Sequence, residues 1–122
     1  MKERMLILLN SNVISQDAYD GVQSVVAHLN KEWGLNPEDD QYQIAMTHLA
    51  RAADRIRSSE SVAQGLDEEF MVEIKASENY ARIVDMNNKV CTLMKLENAP
   101  IEENSFFIFN LASLCENRRN KV

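Results

Sequence analysis

Apolar residues recur along this chain at intervals of three and four rather than two, which is the spacing of one face of a helix. Val22, Val25, Val26, Leu29 and Trp33 form one such stripe; Tyr42, Ala45, Met46, Leu49, Ala52, Ala53 and Ile56 form another. Turn residues separate the stripes into elements. A short helical segment over 2–9 ends at Asn10-Ser11-Asn12. Ser15 is placed to N-cap the next helix, with Asp17 near its positive end, and Gly34 supplies the stop. Asn36-Pro37-Glu38-Asp39 combines a capping side chain, a proline suited to the first helical position and two acids, so the pattern predicts a helix over 37–57.

Ser58-Ser59-Glu60-Ser61 and Gly65 mark a polar loop. Beyond it, Asp67 is a candidate cap for a short helix through residue 74, and Ser77 for a longer one through about residue 96. Asn98-Ala99-Pro100 breaks the pattern once more. The last helix, predicted over 102–117, is apolar nearly all round at Phe106, Phe107, Ile108, Phe109 and Leu111. Such a helix is central to a bundle or covered by a partner subunit. Residues 118–122, with Arg118, Arg119 and Lys121, read as a solvated basic tail. The whole is expected to be one all-α domain over 1–122, a compact bundle of about five helices, with 1–14 a short N-terminal helix and turn.

Composition sharpens this picture. The chain has 122 residues with 3 Gly and 2 Pro, far below the average usage of about 12% for the pair, which disfavours a turn-rich sandwich or barrel. A 45% hydrophobic fraction suits a folded core, and the net charge of −6 weakens any reading as a direct nucleic-acid or anionic-membrane binder. Met5-Leu6-Ile7-Leu8-Leu9 is too short for a signal-peptide core or a membrane span, so a cytoplasmic location is expected. Cys91 and Cys115 form no Cys-x-x-Cys pair and read as reduced, apolar core residues.

Spacing also tests for chemistry. Val25 and Ala45 stand three residues before His28 and His48, so the Glu-x-x-His motif of di-iron bundles is missing. Zinc-ligand spacings and glycine-rich phosphate loops are missing too, and no cofactor, metal or enzymatic activity is expected. The acid pairs Asp39-Asp40, Glu68-Glu69 and Glu102-Glu103 fall at helix N-termini, where interaction with the dipole accounts for them. His28 reads as helix-boundary packing and Trp33 as a core anchor.

His48 is different. It lies off the apolar stripe, with Arg51 and Arg55 one and two turns further on along much the same face. Residue types alone leave two readings: a plain surface histidine, or an imidazole nucleophile whose phosphorylated form would find bidentate partners in the two guanidinium groups.

The run His48-Leu49-Ala50-Arg51-Ala52-Ala53-Asp54-Arg55-Ile56 resembles the first histidine helix of the PTS regulation domain family, whose pattern is His-Leu-Ala-x-Ala-x-x-Arg-Ile/Leu. About sixty residues on, Glu103-Asn104-Ser105-Phe106-Phe107-Ile108-Phe109-Asn110-Leu111 resembles the family's second histidine helix. The resemblance implies a five-helix bundle phosphorylated on histidine by the phosphocarrier HPr or by an enzyme IIB component of the bacterial phosphotransferase system. In that family phosphorylation tunes dimerisation and thereby an antiterminator or activator domain. Asn110 stands where the second histidine would be, so His48 is the matching acceptor, with Arg51, Arg55 and Asn110 as supporting residues. No basic antiterminator segment precedes the bundle, so the expectation is a free-standing modulator of transcription or antitermination. It would act through protein partners, as a homodimer or with another regulator of the family. The alternative is a helical dimerisation module that works without phosphorylation.

Overall fold

Ser15 has extended backbone, and its hydroxyl accepts a hydrogen bond from the Ala18 N–H at 3.1 Å, satisfying one of the free donors at a helix start. The helix that follows, α2 (Gln16–Trp33), ends at Gly34, whose φ of 62° is the left-handed conformation that glycine adopts without a Cβ penalty. This computed structural model of the chain describes residues 1–96 and 99–120, with side chains to residue 116. The other helices are α1 (Lys2–Asn10), α3 (Asp40–Arg57), α4 (Glu68–Ala76), α5 (Tyr80–Met94) and α6 (Ile101–Asn120). Among the described residues there is no strand, and the architecture is an all-α bundle of six helices. The count exceeds the five implied by resemblance. The two nine-residue helices α1 and α4 are each tied to the core by a buried residue, Met5 and Ile74.

The apolar stripes meet in a single core. Val22, Val25 and Leu29 of α2, Tyr42 and Ala53 of α3, Ile83 and Met94 of α5, and Leu114 and Cys115 of α6 are at most 2% exposed. α2 packs against α1, α3 and α5, while α6 packs against α3, α4 and α5. α3 therefore meets α2 on one side and α6 on the other. α6 is central, as its apolar run requires, although Phe109 remains 36% and Ile101 82% exposed. Trp33 is buried, Cys115 fully so, and Cys91 half-buried; neither cysteine is in a disulfide, and burial pushes the pKa of the Cys91 thiol up.

Three predicted boundaries move, each for a local reason. α3 begins at Asp40, not near Pro37, because Asp39 is the residue whose carboxylate accepts from the Gln41 and Tyr42 N–H groups. Asn36 caps a tight turn instead, its side chain accepting from Glu38 N–H at 3.0 Å. Ser77 likewise organises a turn between α4 and α5 by accepting from Asn79 N–H at 3.1 Å, and α5 starts later than its serine cap suggested. At the other end, α6 continues to Asn120, so the start of the basic tail is helical; side chains from 117 and residues 121–122 lie outside the described residues. Asn98 of the predicted break does so as well. No helix of the described residues is long and apolar enough to cross a membrane.

Candidate functional site

The candidate residues gather at the seam between α3 and α6. On α3, Leu49, Ala52 and Ala53 are buried, so the same helical rotation turns His48 and Arg51 outward, and both are exposed. Arg55, one turn beyond Arg51, is half-buried against α6. From α6, Phe107 and Leu111 point into the core, and their neighbours Phe106 and Asn110 are half-buried at the seam. His48, Arg51, Ala52 and Arg55 of α3 and Phe106, Phe107 and Asn110 of α6 line a cleft of about 520 Å³. All four residues singled out from the sequence thus share one cavity.

The cleft has a further member that sequence reasoning placed elsewhere. Glu103 is fully buried, and its carboxylate accepts two hydrogen bonds from Arg55, Nε to Oε2 and Nη2 to Oε1, both at 3.1 Å. Glu102-Glu103 read as dipole-favoured acids at a helix start; for Glu103 that is incomplete. It also lies four and eight residues before Phe107 and Leu111, on the buried stripe of α6. That register was the available signal. An acid on such a stripe needs a cation, because an unpaired buried charge is strongly disfavoured.

This pairing changes the electrostatics expected from two arginines. The guanidinium of Arg55 neutralises Glu103, so it is not an independent cation beside His48. Among the described residues lining the cleft, Arg51 is the cation that makes no ion pair. The chain's overall acidity thus coexists with one local unneutralised positive charge at the exposed mouth.

The walls are fixed by neighbouring contacts. Ser105 donates to Glu102 C=O at 2.7 Å and accepts from Leu66 N–H at 2.9 Å, tying the 58–67 loop, and with it the cleft residue Val62, to the start of α6. Phe109, another lining residue, meets Phe70 of α4 edge-to-face with ring centroids 6.1 Å apart. Asn104 accepts from Asn87 Nδ2 at 2.8 Å, fixing α6 against α5.

A second, larger cleft of about 720 Å³ lies between α2 and α5, lined by His28, Glu32, Trp33, Arg82, Asp85, Met86 and Lys89. His28 is half-buried near the end of α2, consistent with packing at a helix boundary. The charges there are of mixed sign, and among the described residues no group of three or more His, Cys, Asp or Glu side chains is placed to hold a metal ion.

No family model matches the chain, and no solved structure matches it. The uncharacterized protein YhfY of Escherichia coli strain K12 is 32% identical over 114 residues, covering 93% of each chain. With that identity sustained along nearly the whole length of both sequences, the chain belongs to the same family as YhfY.

Proposed function

We propose that the chain is a phosphorylation-responsive regulatory domain of the bacterial phosphotransferase system, in which a ring nitrogen of His48 receives a phosphoryl group from HPr or an enzyme IIB component. The observation that carries this reading is the convergence of His48, Arg51 and Asn110 on one cleft, although the two motif helices lie about sixty residues apart in sequence. An exposed imidazole on the lip of a groove is reachable by a donor protein's active site. Asn110 supplies an amide donor but cannot itself hold a phosphoryl group.

The phosphoryl group would bring about 1.5 to 2 negative charges and strong acceptor oxygens next to Arg51. A charge-assisted hydrogen bond contributes about 1.5 to 3 kcal/mol, whereas inverting an equilibrium from 1:99 to 99:1 takes about 5.5 kcal/mol. With Arg55 already paired, the output is graded modulation of protein contacts and not an all-or-none switch. Transcription or antitermination would be influenced through a partner, a second copy of the chain or another regulator of the same kind.

Incubation with phosphoenolpyruvate, enzyme I and HPr or a cognate IIB component, followed by intact-mass measurement, tests the reading. It requires an acid-labile gain of one phosphoryl group that His48→Ala abolishes; no gain, or a gain that survives the substitution, refutes it. The second reading, a dimerisation module without phosphorylation, draws on Asn110 in place of a second histidine and on the partly exposed Phe70 and Phe109. It requires that His48→Asp leave the sedimentation profile unchanged.

A further inference from the structure

We propose that Glu103 is a positioning residue of the His48 cleft: it grips Arg55 by one edge, leaves Nη1 for an oxyanion seated beside His48, and keeps that grip when the oxyanion binds. The inference rests on His48 as phosphoryl acceptor and adds which atoms hold the transferred group.

The pairing geometry carries the argument. Arg55 uses Nε and Nη2 on the two oxygens of Glu103, both at 3.1 Å, which is one edge of a rigid planar fork. The Nη1 donors lie away from that edge. The Arg55 side chain is 38% exposed and lines the same cleft as His48, whereas the Glu103 side chain is 1% exposed. An arriving anion can therefore meet Arg55 but has no route to satisfy Glu103. Pulling the guanidinium away would strand a buried carboxylate without a counter-charge, a larger loss than any gain from one additional contact at the partly solvated mouth. Arg55 stays with Glu103, and its orientation is set by the carboxylate. Arg51, exposed and in no ion pair among the described residues, supplies the rest of the anion's shell.

Titration of the full chain with inorganic phosphate, followed by NMR of the arginine Nε–H and histidine ring resonances, tests this. In the wild-type chain the His48, Arg51 and Arg55 signals should shift saturably together, while the Arg55 Nε–H stays protected from exchange with water because its bond to Glu103 is kept. Arg55→Lys keeps a positive charge for Glu103 but lacks the fork, so phosphate affinity should fall by about three- to tenfold, the scale of one hydrogen bond. Glu103→Gln separates positioning from simple charge. It makes the cleft more positive, so an electrostatic effect alone would tighten phosphate binding, whereas loss of orientation weakens it by a similar three- to tenfold factor. Arg82→Gln, at the other cleft, should bind phosphate as the wild type does. Unaltered or tighter binding in either cleft variant overturns the proposal, as does loss of the Arg55 Nε–H exchange protection on phosphate binding in the wild type, or the lack of any saturable shift of the His48 and Arg55 signals there. If Glu103→Gln does not fold, Arg55→Lys and the wild-type Arg55 signal still decide. A chain that binds phosphate as described but takes no acid-labile phosphate on His48 overturns the acceptor reading and leaves the positioning role supported. A chain phosphorylated on His48 whose Arg55 leaves Glu103 overturns the positioning role alone.

Discussion

Ser15 does two jobs with one hydroxyl. It accepts from Ala18 N–H at the start of α2 and donates to Asp54 Oδ1 at 2.5 Å, while its own N–H donates to Asp54 Oδ2 at 2.8 Å. The cap is thus pinned to the last turn of α3. Ser15→Ala should lower stability by about 1 to 2 kcal/mol, measured by urea unfolding, because it removes both the cap and one of the Asp54 bonds. Tyr42 illustrates a different residue-scale constraint. Its phenol is buried and donates to Asn30 Oδ1 at 2.9 Å, and burial raises its pKa well above the ordinary 10.0. The folded state therefore holds the phenolic proton more tightly than the unfolded state does. Its contribution to stability is complete below about pH 10 and is lost as pH rises toward the folded-state value. Tyr42→Phe should flatten the alkaline fall in stability, and in the wild type one of the 3 tyrosines should resist ionisation, followed by ultraviolet absorbance, until the chain unfolds.

At the scale of elements, the two informative glycines fail for opposite reasons when given a side chain. Gly34 has open space around it, but its φ of 62° ends α2 in the left-handed region, so Gly34→Ala should cost about 1 kcal/mol through backbone conformation alone. Gly65 has an unremarkable backbone but lies against α6. A Cβ there would sit 2.9 Å from Ser105 Oγ and 3.2 Å from Glu102 Cα. Since the second neighbour is backbone, the loop must move away from α6, and Gly65→Ala should destabilise by about 1 to 3 kcal/mol. The two cases separate in a Gly→Asn comparison by thermal unfolding. Asparagine tolerates the left-handed region and should recover part of the loss at 34, but it should worsen the clash at 65. The predicted starts of α3 and α5 moved for an equally local reason: Asn36 and Ser77, the expected caps, each accept from the N–H two residues on and close a turn before the helix begins.

The whole molecule is arranged so that α3 is held between α2 and α6, and Arg55–Glu103 bridges the second of these contacts. Breaking a buried pair by removing one partner costs about 3 to 5 kcal/mol, and solvent access to Arg55 places this pair toward the lower end. Arg55→Ala should therefore be distinctly more destabilising than Arg51→Ala, which loses an exposed and unpaired side chain. In a double-mutant cycle, adding Glu103→Leu to Arg55→Ala should restore much of the lost stability, because the stranded charge has gone. Additive losses in urea unfolding would show that the pair is not coupled.

The helix faces were legible because side-chain direction along a helix follows a fixed angular step. Val22, Val25 and Leu29, and Tyr42, Met46 and Leu49, had to share faces once those segments became helical, and that same rotation placed His48 and Arg51 outside. Gly34 as a stop and Ser15 as a cap followed from backbone chemistry that acts over a few residues. The partner of Arg55 did not follow from local chemistry. Arg55 and Glu103 are 48 positions apart, and nothing in the residues around either one sets the angle and depth at which α3 meets α6. Local sequence prescribes which face of each helix must be buried. The packing of those faces decides which buried carboxylate a guanidinium reaches, leaving Arg51, among the described residues, as the unneutralised cation of the His48 cleft.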